Sequence, residues 1–246
     1  KVYYDPEISY APPNRADGSV EDDAIFTAAK RGYYYSASPP TVNLATDFSA
    51  IYYNYSYGST LTLNDVYINS CAECMDQPAY YYQFNTDTAV NPSCPATNQS
   101  TAQTCYSKVV INDATNYSAQ TCVDSNGESK TGIVNDHCRT QAEEETNFAN
   151  WYQYYAIRGD AAKTALRRAF VPSSVDSNFR VGRQTFNNNT TVRSGSDTDD
   201  VAELDATERA NLYSWIDSVP TNGGTPLRGA VRRAGEYYKK TSAYRE

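Results

Sequence analysis

The rhythm of apolar and polar positions changes once along this chain, near residue 141. Before that point hydrophobic residues come as short aromatic runs. "VYYDPEISYAPP", "GYYYSASPP", "AIYYNYSYGSTLTL" and "AYYYQFN" alternate rings with polar residues and are separated by Gly, Pro and Asn. Such runs predict short β segments joined by turns. The stretch "NPSCPATNQSTAQTC" predicts a loop held by its cysteines. After residue 141 the helical period takes over. In "QAEEETNFANWYQYYAIRGDAAKTALRRAF" the residues Phe148, Trp151, Tyr152, Tyr155, Ala162, Leu166, Ala169 and Phe170 fall mostly on one stripe, with Gly159 as a weak point in the middle. Glutamates at its start and arginines at its end suit the helix dipole.

A short strand is predicted at Phe179–Thr185, followed by a polar loop or weak hairpin. A second helix is expected from about Ala206 to Val219, with Asp205 and Glu208 as a capping pair and Leu212, Trp215, Ile216 and Val219 as its apolar face. After a glycine turn, a third helix starting near Pro226 carries Leu227, Val231, Ala234 and Tyr238 on one face. Helix, strand, helix, helix reads as a piece of an α/β sandwich. The chain thus divides into residues 1–141 and residues 142–246.

Composition sharpens the first block. Twenty-three of 246 residues are Tyr and only seven are Phe, which favours semi-buried layers with polar tips over a dry core. The tyrosine clusters at 33–35, 52–57 and 80–82 fit either such a layer or an adhesive surface. A net charge of −8 argues against nucleic acid as a partner, because phosphate binding needs clustered Lys and Arg. No apolar run is long enough to span a membrane. No signal peptide opens the chain, so for an exported protein that segment is expected upstream or already removed.

All six cysteines, Cys71, Cys74, Cys94, Cys105, Cys122 and Cys138, lie in the polar middle of the chain. An even count there reads as a disulfide framework from an oxidising compartment, and it would substitute for part of a sparse aliphatic core. Zinc is the rival, through Cys71, Cys74, His137 and Cys138, although adjacent His137 and Cys138 make a poor second ligand pair. A thioredoxin-like role for "CAEC" lacks its flanking strand and helix. "DSNGES" from Asp124 lacks the downstream Glu of a calcium loop. His137 is the sole histidine, which disfavours a hydrolytic triad. Asn54, Asn98, Asn116, Asn188 and Asn189 begin glycosylation sequons.

Thr225, in "GGTPLRGAVRRAGEYY", has two readings. As an N-cap before Pro226 it is ordinary helix-start chemistry. Its hydroxyl can also face a divalent ion. The motif resembles the threonine loop of von Willebrand factor A domains, where that residue is one ligand of an adhesion metal site. "ETNFANWYQYYAIRGDAAKTALRRAF" followed by "FRVGRQTFN" resembles the first helix and second strand of the A domain in PilY-type tip adhesins of bacterial type IV pili. The opening "VYYDPEISYAPP" is similar to the segment those adhesins carry just before a large, variable insertion.

The resemblance implies a Rossmann-like A domain, incomplete here, over residues 142–246, with residues 1–141 as a Tyr-rich, disulfide-stapled insertion. It departs from the family at the first metal loop, an Asp-x-Ser-x-Ser triplet. The nearest segments here, at Asp17 and Asp47, lack its spacing. The final aspartate ligand is expected beyond Glu246. Only Thr225 can be assigned, so no cofactor is expected in this segment, while Mg²⁺ or Ca²⁺ is implied for the complete domain. Without catalysis, the implied role is adhesion and pilus assembly. The implied partners are minor pilins and a host-cell or abiotic surface. The implied place is the extracellular pilus tip, reached through the periplasm and outer membrane. The alternative from a different class is a secreted carbohydrate-binding or carbohydrate-processing module with aromatic platforms.

Overall fold

The computed structural model describes residues 4–49, 76–84, 106–117, 121–123, 127–131, 138–185, 201–220 and 226–239. Helices and strands are mixed. The described strands form four two-stranded antiparallel ladders: β1 (Ala29–Lys30) with β2 (Thr41–Val42), β3 (Tyr80–Phe84) with β4 (Tyr106–Val110), β5 (Thr121–Val123) with β6 (Ser129–Thr131), and β7 (Arg180–Val181) with β8 (Ala202–Glu203). The parallel sheet of an A domain is not among the described residues. The strand expected at Phe179–Thr185 is two residues long, and Phe179 is exposed.

Helix α1 (Gln141–Tyr154) is the centre of the larger core. It starts with a capping box: Glu143 N–H donates to the Thr140 hydroxyl, and the Thr140 amide donates to the Glu143 carboxylate at 2.8 Å. Phe148 and Ala149 are fully buried and Trp151 and Tyr154 nearly so, packed with Tyr10, Phe26, Leu44, Phe48, Tyr80, Tyr81 and Ile111. The Tyr4 ring lies 4.8 to 5.6 Å from the rings of Phe148, Tyr81, Tyr10 and Trp151. Aromatic pairs in this range add about 0.5–1.5 kcal/mol each beyond their burial. Tyrosines 34, 80 and 81 are therefore part of the buried layer, while Tyr35 and Tyr82 remain exposed.

The opposite side of α1 is buried too, and it is polar. Asn147, Asn150 and Gln153, spaced three apart, share one face and hold the N-terminal segment by its backbone. Tyr10 N–H donates to Asn147 Oδ1 at 2.7 Å, Ala24 N–H to Asn150 Oδ1 at 2.8 Å and Lys30 N–H to Gln153 Oε1 at 2.9 Å. Asn147 Nδ2 returns a bond to Ile8 O at 3.0 Å, and the Tyr154 and Tyr155 hydroxyls donate to Asp22 O and Ala11 O. Residues 4–30 lack a regular ladder of their own over most of their length. The side chains of α1 supply the partners that buried backbone groups require.

Sequence periodicity predicts one helix from about 141 to 170, and the structure has two. α1 ends at Tyr154, Ile157 is extended, and α2 runs Arg158–Ala169. Gly159 sits inside the first turn of α2, so it is not the break. The interruption is satisfied by side chains: the Thr164 hydroxyl donates to the Tyr154 carbonyl at 2.8 Å. The expected apolar stripe of α2 is also corrected, since Leu166 is 42% exposed and Ala162 and Ala169 are exposed. Its buried face is Asp160, Lys163, Thr164 and Arg167.

α3 (Ala206–Ser218) follows prediction closely. Asp205 caps it by accepting from Glu208 N–H at 2.7 Å, and Leu212 and Ile216 join Leu204 in a second, smaller core. Glu208 does not close the capping box. It accepts instead from Arg183 at 2.6 Å. α4 (Leu227–Tyr237) forms where expected but is turned: Leu227, Val231 and Tyr238 are exposed, whereas Ala230 and Tyr237 are buried. The rotation follows from its polar anchors, because Gln184 donates to Ala230 O, Arg233 to Thr185 O, and Val201 N–H to the Tyr237 hydroxyl.

Cys122 in β5 is disulfide-bonded to Cys138, two residues before the Thr140 cap, across a separation of 16 residues. The bond ties the β5–β6 hairpin to the start of α1 and takes Cys138 out of the zinc alternative. Closing a loop of this length constrains the unfolded chain by about 3 kcal/mol. A Cys122→Ser/Cys138→Ser double variant is expected to lower the urea midpoint accordingly, and an unchanged midpoint would count against this role.

Candidate functional site

The β1–β2 hairpin carries a run of tyrosines that lines a cleft. Arg31 N–H donates to Pro40 O at 2.9 Å and closes the base of its loop, and Gly32, at φ +68, makes the turn that a side chain would strain. The loop carries Tyr33, Tyr34 and Tyr35 in sequence. Tyr34 points inward, buried, with its hydroxyl 2.7 Å from Thr164 Oγ1 on α2. Tyr33 packs edge-on against Tyr154, with centroids 4.9 Å apart. Tyr35 stays 43% exposed. Together with Lys30, Ser36 and Asp217 of α3 they line an open cleft of about 500 Å³.

Beneath the cleft lies a buried charged seam between α2 and α3. Lys163 Nζ donates to Asp217 O at 2.7 Å and sits 4.4 Å from the Tyr35 ring centre. Arg167 pairs with Glu21 at 2.7 Å and donates to Asn14 O at 2.9 Å, while the Tyr213 hydroxyl donates to the Arg167 carbonyl. Asp160 is 2% exposed and faces Lys163 and the Tyr35 hydroxyl, yet its Oδ1 has no hydrogen-bond partner. Burial pushes its carboxyl up to about 7, against the opposing pull of Lys163 and Tyr35. Burial raises Asp217 too, against Arg167 and Lys163, and it lowers Lys163. The Asp217 carboxylate accepts no hydrogen bond among the described residues. Oδ1 is unpartnered and Oδ2 lies 3.7 Å from Arg167 Nη1.

A second polar constellation pins the amino-terminal end. Glu144 is fully buried and accepts from Tyr4 at 2.5 Å and from Arg139 at 3.1 Å. Arg139 also donates to Pro6 O, Ile8 O and Ser9 Oγ. Desolvation raises the Glu144 carboxyl, opposed by the hydroxyl of Tyr4 and the charge of Arg139. Burial likewise raises the Tyr4 phenol. Both Nη groups of the arginine are used on structure, so this cluster is a staple.

The metal candidate, Thr225, lies outside the described residues, as do Cys71, Cys74, Cys94, Cys105, His137 and Asp124. Asp17 heads a tight turn, accepting from Ser19 N and Oγ at 2.9 and 2.6 Å. Asp47 sits in an exposed turn. No cluster of three metal-binding side chains occurs among the described residues. The cleft and the α2–α3 seam were missed by sequence reasoning. The signal available was the spacing of Asp160, Lys163, Thr164 and Arg167, which puts four polar residues on one helical face.

Two of the stretches that carried the family resemblance, the opening segment through Tyr4 and Tyr10 and the helix α1, meet in the main core. Over 251 aligned positions, covering 98% of its length, the chain is 28% identical to the type IV pilus biogenesis factor PilY1 of Pseudomonas aeruginosa strain PAK. The chain is similar to PilY1 from end to end. The PilY1 of strain PAO1 is also 28% identical, over 256 positions, and that of strain UCBPP-PA14 is 27% identical over 250. This bears out the PilY-type resemblance, and it extends it across the Tyr-rich block that carried no motif. The chain spans 18% of the length of the first two PilY1 proteins and 17% of the third. No protein-family model matches the chain, and no solved structure matches it.

Proposed function

We propose that this chain is a non-catalytic segment of a type IV pilus biogenesis factor, working at the pilus tip in adhesion and assembly. The supporting observation is the similarity to PilY1 along 98% of the chain. On this reading the protein is extracellular, meets minor pilins on one side and a host-cell or abiotic surface on the other, and carries load. The described architecture suits that task. A disulfide anchors the start of α1, the α1 amides clamp residues 8–30, and the Arg139–Glu144 staple fixes residues 4–9.

The helices from α1 onward are then the incomplete A-type domain, and residues 1–141 its insertion. Thr225 would supply one oxygen to Mg²⁺ or Ca²⁺ in the complete protein, with carboxylates from outside this chain, because hard cations need several oxygen ligands. The test is in-frame removal of these residues from the parent protein in the bacterium that makes it. Surface pili and attachment are both expected to fall. Piliation and attachment equal to the unmodified strain would contradict the proposal.

A further inference from the structure

We infer that the outward face of α4 is an intramolecular docking surface, covered by an apolar face that the parent protein contributes from outside these 246 residues. At about 3.6 residues per turn, Ala230, Tyr237, Ala234, Leu227, Tyr238 and Val231 follow one another around α4 and its cap across about 120°. That is the width of a helix face that packs into a core. Only one edge of it is covered. Ala230 and Tyr237 are buried, whereas Leu227 is 55%, Val231 63% and Tyr238 68% exposed. Arg228 and Arg232, both exposed, lie beyond Val231 and mark the edge that belongs in water.

Gly235, beside Val231 around the helix, is a second and independent sign. Glycine is the poorest helix former after proline, yet Gly235 lies inside α4, and a Cβ there would meet nothing within 4 Å. No packing among the described residues calls for it. A glycine at this place lets another backbone or ring approach the helix closely. The occupant follows from continuity. The exposed stripe is the direct extension of the buried one, so what covers it completes a core, as a layered α/β domain requires. Chain for that purpose lies within the same molecule on the PilY1 reading, since these residues span 18% of the length of the PilY1 proteins they match. The inference rests on that reading and adds to it the surface through which this segment joins the rest.

The test is maleimide labelling of Val231→Cys and, separately, Arg232→Cys, each in the 246-residue chain and in the parent protein. Non-reducing conditions keep the disulfide, and the unsubstituted proteins serve as blanks. In the chain both positions are exposed, so both should label fast. In the parent protein, labelling at position 231 should slow by at least about tenfold, while labelling at 232 stays fast. Adding Gly235→Leu should restore fast labelling at 231 there, and should leave the melting temperature of the chain unchanged or raised. The inference is overturned if 231 labels equally fast in both proteins, if it is already protected in the chain, if 232 slows as much as 231, or if Gly235→Leu leaves 231 protected. A dimer of the chain that Val231→Glu dissolves would assign the face to a second copy and overturn it too. Protection at 231 alongside normal piliation and attachment in the deletion strain would contradict the pilus role alone. Lost pili with 231 open would overturn this inference alone.

Discussion

Replacing Arg139 with alanine should destabilise the chain by about 3–5 kcal/mol, the usual result of removing one partner from a buried ion pair. Arg139 is 6% exposed and Glu144 is fully buried. Without the guanidinium, the Glu144 carboxylate keeps the Tyr4 hydroxyl, and its carboxyl, already raised by burial, would be pushed further up. The carbonyls of Pro6 and Ile8 would lose their donor as well. For a domain of this size the change corresponds to a fall of about 10 °C in Tm, read by circular dichroism. An Arg139→Ala/Glu144→Gln double variant should lose less than the sum of the two single changes, because the second removes the charge that the first strands. A Tm for Arg139→Ala within about 1 °C of the parent would contradict the staple.

The second large effect has the opposite sign. Asp160 is buried with its carboxyl raised to about 7, so the folded chain holds a proton that the unfolded chain releases near pH 4. Between those values the folded state binds more protons, and stability therefore falls as pH rises, levelling off above about 7. The full penalty at high pH is about 4 kcal/mol. Asp160→Asn removes it while keeping the shape of the protonated acid. The variant should be more stable than the parent, with a gain about 2–3 kcal/mol larger at about pH 8 than at about pH 5. Denaturant melts at the two values measure this. A gain independent of pH, or a loss at both, would show that Asp160 is ionised and well paired in the folded chain.

How far the sequence foretold the structure depends on which interactions fixed each element. The start of α3 was legible, because Asp205 is a local cap signal that the chain keeps, whereas the equally local Thr140–Glu143 box at the start of α1 went unread. The apolar face of α3 was legible for the same reason, since Leu212 and Ile216 bury as their spacing demands. The orientations of α2 and α4 were not. Periodicity reads apolar residues, and these two helices are seated by polar anchors: Lys163 and Arg167 in one, Gln184 and Arg233 against the other. The amide ladder of Asn147, Asn150 and Gln153 was invisible for a related reason. Its partners are backbone groups more than 120 residues away in sequence, and no local pattern encodes them.

The functional residues divide likewise. The pairing of Cys122 with Cys138 occurs in three of the 15 possible connectivities for six cysteines, so only the existence of a framework could be read. The tyrosine run at 33–35 stood out, but its division into a buried Tyr34 and an exposed Tyr35 depends on Thr164 and Gly32. Asp217 gave no signal at all, sitting near the end of an ordinary helix until the fold set it beside the loop.

Residues 4–30 and α1 form one cooperative unit, on which the proposed load path depends. Hydrogen exchange of the amides of Tyr10, Ala24 and Lys30 tests it most directly, since each donates to a side chain of α1. All three should exchange as slowly as the backbone of residues 148–154 and be released together with it in rising denaturant. Rapid exchange at those three positions, with α1 still protected, would contradict the claim.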